Sequence, residues 1–256
     1  MESFWFATLA VANAEIRKLL RDPMELLSRA VQPLLWLAVF GQVFSQVRGI
    51  PTGSLGYLDF MAPGILAQSI LFSAIFYGIA IIWERDMGIV HKLLVTPAPR
   101  TALVLGKAMA AGLRGLLQAV VVYLVALALH IGIRWDLPAM LVVALAVFLG
   151  SGIFSTFSLL IACLVKTRER FMGIGQVLTM PLFFASSAIY PIAMMPPWLR
   201  AIAVANPLTY LVDALRASMV LGGQGVYALA TSFGVMLLSF VVFLLLTARL
   251  YPGLVR

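Results

Sequence analysis

Six stretches of this chain contain no Asp, Glu, Lys or Arg: 30–47, 60–83, 115–133, 137–165, 171–199 and 217–248. A helix needs roughly 20 apolar residues to cross about 30 Å of hydrocarbon. Each stretch meets or approaches that length, and a soluble core could shelter one of them but not six. The alternation of apolar and polar residues that marks a membrane strand barrel is absent. Composition agrees, with 62% hydrophobic and 11% charged residues, against roughly half and a quarter in soluble domains. The expected fold is an all-α polytopic membrane protein forming one domain over 1–256. Its spans fall at about 27–47, 58–83, 107–132, 138–165, 171–190 and 228–249.

The N-terminal 1–26 read differently. Ala12-Asn13-Ala14 has the look of a signal-peptidase site, but the positive charges follow the apolar stretch instead of preceding it. Trp5, Leu9, Ala12, Ile16 and Leu19 follow helical spacing, with Asn13, Arg17 and Arg21 on a separate stripe. This predicts an uncleaved amphipathic helix in the headgroup plane, bearing Arg17, Lys18 and Arg21 and ending at Pro23.

Basic residues orient the chain. A cytoplasmic N-terminus puts Arg48, Arg134, Arg200 and Arg216 outside and the other fourteen Lys and Arg inside. Both termini then face the cytoplasm of a cell whose inner membrane holds the chain. The net charge of +8 serves topology and contact with anionic lipid. Nucleic acid is not an expected partner, because the positives are scattered among loops. Arg29, Asp59 and Arg114 fall near span ends, where they can snorkel.

Chemistry is sparse. The chain has one cysteine, Cys163, and two histidines, His91 and His130, which the topology puts on opposite sides. No metal site, nucleophile elbow or phosphate-binding loop is legible, so neither catalysis nor a cofactor is expected on this chain. Span centres lack the acids and histidines that ion-coupled carriers use as relays. An ion-coupled secondary transporter remains the alternative reading, because backbone carbonyls can also bind sodium. A purely structural membrane subunit is a further one, and would tolerate Gly88→Trp or Leu94→Asp.

Two segments stand out. "ERDMGIVHKLLVTPAPR", 84–100, joins the second and third spans on the inner side. Ile89 with Leu93 and Val90 with Leu94 are four apart, which predicts a short helix with an apolar stripe, stopped by Pro97 and Pro99. It reads as a docking surface for a soluble partner, or as a solvated loop whose charges enforce topology. The second, 190–216, is broken by Pro191, Pro196, Pro197 and Pro207 into two short helices. It suits the mouth of a pathway, or an interfacial loop with Trp198 and Tyr210 in the aromatic belt.

These segments carry a resemblance. Glu84, Arg85, Gly88, Leu93, Leu94, Thr96, Pro97 and Arg100, then Gly106-Lys107, match a loop pattern E-R-x-x-G-x-x-x-x-L-L-x-T-P-x-x-R followed by G-K. Pro196 to Arg200 and Asn206 to Arg216 match P-x-W-L-R and N-P-L-T-Y-x-V-D-A-L-R. In both, and across nearly its whole length, the chain resembles the membrane permeases of type-two ATP-binding-cassette exporters of drugs, nodulation factors and polysaccharides. The resemblance implies that 84–100 is a coupling helix seated in a groove of a separate ATPase. Two permeases would pair with two ATPase copies, which bind the ATP and Mg. It implies that the N-terminal helix and the loop Lys166, Arg168, Glu169 and Arg170 approach that ATPase. It also implies re-entrant helices forming an external gate, with Pro191, Pro196, Pro197, Trp198, Asn206, Pro207, Tyr210 and Asp213. The chain departs from the family at Ile89 and His91, where many members have Thr and Glu; a histidine there makes the contact sensitive to pH. Gln42, Phe44, Gln46, Gln68, Ser69, Phe72, Tyr77, Gln176, Phe183 and Phe184 would line a path for amphipathic cargo, or simply pack.

Overall fold

The computed structural model describes residues 2–21, 31–46, 52, 53, 55–165 and 167–255. The main helices among them are α1 Glu2–Arg21, α2 Val31–Ser45, α3 Tyr57–Asp86, α4 Ile89–Val95, α5 Arg100–Ala128, α6 Leu137–Leu164, α7 Arg168–Phe184, α8 Pro197–Ala205, α9 Pro207–Met219 and α10 Leu229–Leu250. A 3₁₀ turn, Tyr251–Val255, follows α10. Among the described residues, extended pairing is limited to one bridge, Ile133 to Val220.

Of the described helices four, α3, α5, α6 and α10, are long and apolar enough to cross a membrane. The expected first and fifth spans correspond to shorter helices. Of 27–47, residues 27–30 and 47 lie outside the described set; α2 covers 31–45 and contains a π-helical stretch, Trp36–Gly41. The fifth ends early: α7 carries Pro181 and stops at Phe184, and 185–188 form a turn. A 3₁₀ turn, Ile192–Met194, and then α8 and α9 follow that turn.

The helix ends are written locally. Asp136 and Thr167 cap α6 and α7 by accepting from Ala139 N and Arg170 N. Asn206 caps α9 in the same way, with Pro207 in its first turn. Gly88 has φ +73°, a left-handed conformation costly for residues with a Cβ. It ends α3 and turns the chain directly into α4.

Two main apolar cores result. The larger runs through α3, α5, α6 and α9. The smaller gathers Ile81, Ile82, Leu103, Val104, Leu159, Phe171 and Tyr251 at the opposite end, where Val90 of α4 closes it. Away from these cores α5 exposes Leu113, Leu117, Val120, Leu124 and Leu127. That four-and-three spacing is one continuous apolar stripe, as a lipid-facing helix requires.

Candidate functional site

At the α4 end, α1 lies across α5. Thr8, Ala12 and Glu15 form its buried face, while Trp5 and Leu9 of the expected stripe are exposed. The approach is close: a Cβ on Gly106 would stand 2.6 Å from Thr8 O and 2.8 Å from Val11 Cβ. Only glycine permits that contact.

One residue further on, Lys107 is 4% exposed and joins two carboxylates from different helices. Its Nζ donates to Glu15 Oε1 at 2.9 Å and to Glu84 Oε2 at 2.8 Å. Lys18 donates to Glu84 Oε1 at 2.6 Å and to Glu15 Oε1 at 3.1 Å. Arg114 approaches Glu15 Oε2 at 3.5 Å and donates to its backbone carbonyl at 3.3 Å. Burial alone pushes the Glu15 carboxyl up, but the charges and hydrogen bonds of Lys107 and Lys18 outweigh it and hold it at about 2. Three cations and two carboxylates thus pin α1 to the last turn of α3 and to α5. Buried charge is tolerable only with such pairing.

Glu84, expected in a partner contact, is therefore 5% exposed and directed into the chain. Asp86 is also satisfied internally, by Arg85 at 2.9 Å and Arg168 at 2.7 Å. Arg168 lies over the Trp83 ring, 3.5 Å from its centroid, so the start of α7 is tied to the end of α3. The apolar stripe of α4 divides. Val90 is fully buried and Leu93 and Leu94 pack partly on the smaller core, whereas Val95 is 87% exposed. His91, Lys92, Thr96, Pro97 and Arg100 are exposed around it. Thr96 is extended, as its place before Pro97 requires, and its hydroxyl donates to Leu93 O at 2.6 Å. A 420 Å³ groove runs between α1 and this exit, lined by Phe6, Val11, Leu93, Pro97 and Leu103 among others. Arg17 is exposed and bonded to Asn13 of its own helix. Glu169 and Arg170 are exposed; Lys166 and the Arg21 side chain lie outside the described residues.

At the far end, the second motif braces the interior. Asn206 Nδ2 donates to Leu182 O at 2.7 Å and Ala185 O at 3.2 Å, fastening α9 to the broken end of α7. Asp213 is 1% exposed and accepts from Val226 N at 2.5 Å and Tyr227 N at 3.0 Å. Arg216 donates to Ser187 O at 2.6 Å and Phe60 O at 3.3 Å. Tyr210 donates to Val204 O at 2.8 Å and packs on Tyr227. Pro196, Pro197 and Trp198 are exposed, and Pro191 and Pro207 half-buried. Within the described residues the motif's acid, amide and guanidinium thus all turn onto backbone, with Ser232 Oγ also donating to Asp213 at 3.4 Å.

The proposed lining residues separate similarly. Gln68, Ser69, Tyr77 and Phe183 are buried within the chain, and Phe44 and Phe72 partly so. Gln42, Gln46, Gln176 and Phe184 are exposed. The helices carrying Gln42, Gln176 and Phe184, α2 and α7, meet where Trp36 packs edge-on against Phe183 at 6.0 Å.

In the sequence Lys107 stands out as an inner-side positive and as the end of the G-K match, and Glu15 does not stand out. The available signal was Glu15 on the Thr8-Ala12 face of α1, three residues before Lys18.

Comparison with known proteins identifies the family. The chain is 32% identical over 202 residues to the protein named transport permease ycf38 of Cyanophora paradoxa, covering 78% of this chain and 69% of that one. It is 28% identical to the daunorubicin resistance ABC transporter permease protein DrrB1 of Streptomyces coeruleorubidus, covering 90% and 80%. It is 25% identical to nodulation protein J of Rhizobium leguminosarum bv. viciae, covering 90% and 88%. Residues 7–220, from α1 through α9, match the family model of the ABC-2 type transporter, and the chain, a multi-pass membrane permease, belongs to that family.

Proposed function

We propose that the chain is the permease subunit of an ATP-driven exporter, moving an amphipathic molecule outward from the cytoplasm or inner leaflet. The observation that carries this reading is mechanical. α4 continues from α3 through a turn at Gly88, and the Glu15–Lys107–Glu84 cluster binds α1 and α5 to the last turn of α3 just before it. A push on α4 reaches two membrane-length helices at once. In this reading α4 is the coupling helix, and a separate ATPase subunit, present in two copies with its ATP and Mg, provides the push. The α4 end faces the cytoplasm, both termini lie there, and the membrane is the inner one.

The six-span count then comprises α2, α3, α5, α6, the broken segment beginning at α7, and α10, with α1 in the headgroup plane and Trp5 and Leu9 directed into lipid. α8 and α9 are the re-entrant pair, and the buried bonds of Asn206, Asp213 and Arg216 hold that gate rigid as a unit. A second permease copy covers the exposed faces of α2 and α7. There Gln42, Gln176 and Phe184 provide the mixed polar and aromatic surface that an amphipathic cargo needs. The names of the relatives, with daunorubicin resistance and nodulation among them, support cargo of that class.

The test is purification from the native membrane in mild detergent, followed by vanadate-sensitive ATP hydrolysis and transport in proteoliposomes. Stoichiometric recovery with an ATPase whose hydrolysis drives transport is the expected result. A chain that transports when purified alone, driven by an ion gradient, refutes the reading.

A further inference from the structure

We infer that the ATPase groove receiving α4 is acidic around an apolar floor; this rests on α4 being the coupling helix. In the sequence, 84–100 is a mixed-charge segment. In the folded chain both of its acids are taken up in ion pairs, Glu84 inside the chain and Asp86 at the surface. Glu84 is neutralised by Lys107 and Lys18, and Asp86 by Arg85 and Arg168. What remains outward around α4 is Lys92 and Arg100, both exposed and without an ionic partner among the described residues. Val95, 87% exposed, sits between them in sequence. The exposed carboxylate on the first turn of α7, Glu169, is itself flanked by Arg168 and Arg170.

Anionic lipid would satisfy the same positives, but the direction of α4 favours a protein. Val90 caps the core formed by the ends of α3, α5, α6, α7 and the Tyr251 turn. The opposite face of α4, with Val95, therefore points along the bundle away from its membrane-length part. An apolar side chain flanked by cations, aimed off the end of the bundle, matches a groove with an apolar floor and acidic rims. Which ATPase pairs with this permease is then decided by charge at the rim.

The test uses the whole permease in nanodiscs of neutral lipid, to which purified ATP-binding-cassette subunits from the same cell are offered one at a time. One subunit is expected to bind. Its association rate falls about tenfold or more between low and high salt, and by a similar factor in Lys92→Glu/Arg100→Glu. Lysine in place of a rim acid on that ATPase restores the reversed variant. Binding that is insensitive to salt and to reversal, yet lost in Val95→Asp, overturns the acidic groove and leaves the coupling role standing. Reversal that spares ATPase binding in these discs, but lowers the anionic lipid retained when the permease is purified from a mixed-lipid membrane, assigns the positives to the membrane and also overturns it. A wild-type chain that binds none of the subunits overturns both.

Discussion

Lys107→Met removes the centre of the charge cluster while keeping the length of the side chain. Nζ stands 2.8 Å from Glu84 and 2.9 Å from Glu15, and all three residues are buried. Removing one partner of a buried ion pair costs about 3–5 kcal/mol, because the other charge is left uncompensated. Here Lys18 still reaches both carboxylates and Arg114 reaches Glu15, so the loss lies near the lower end, about 3 kcal/mol. That cost is borne largely by the docking of α1, since Lys107 lies, with Gly106 and Arg114, among its contacts with α5. Hydrogen exchange read by mass spectrometry on the α1 peptides measures it directly. About 3 kcal/mol corresponds to roughly a hundredfold faster exchange in α1, with the peptides of α6 unchanged. In a double-mutant cycle with Glu84→Gln the two losses are strongly non-additive, because they remove the same contact. Exchange in α1 within about threefold of wild type would refute the clamp, since that amounts to well under 1 kcal/mol.

The same geometry sets three further outcomes. Glu15 has its folded value near 2, below its ordinary 4.5, so its contribution is fully present above pH 4.5 and is lost as pH falls toward 2. It amounts to about 3 kcal/mol, and an acid titration of α1 exchange in wild type and Glu15→Gln checks that the variant lacks this limb. Gly88→Ala meets no atom within 4 Å but must hold φ +73°, so it costs about 1–2 kcal/mol of α3–α4 turn stability; transport against ATP hydrolysis measures the resulting slippage. Asp213→Ala strips the acceptor from Val226 N and Tyr227 N, costing about 2 kcal/mol or more for a charged hydrogen-bond acceptor, and limited proteolysis between α9 and α10 registers it.

Much of this protein is determined by its amino-acid order alone. Long uncharged stretches admit helices and little else in hydrocarbon, because every backbone polar group must be bonded internally. Proline positions placed the breaks around α4, α8 and α9, since a missing N–H and a fixed φ act locally. Gly88 was legible as part of a motif, and its left-handed turn is a local property too. The fate of the charges was not legible. Glu84 and Asp86 sit two residues apart and look alike in sequence, yet one is sealed against Lys107 and the other lies at the surface with Arg168. Glu15 and Lys107 are 92 residues apart and meet only because α1 crosses α5 at Gly106. Similarly, Asp213 reads as a gate residue and Arg216 as an outer-side positive of the same motif, and only folding turns them onto the backbone of neighbouring segments. Hydrophobicity and helix breaking are properties of a residue and its immediate neighbours, so a sequence displays them. The pairing of a charge depends on which helix crosses it, and tertiary structure alone decides that.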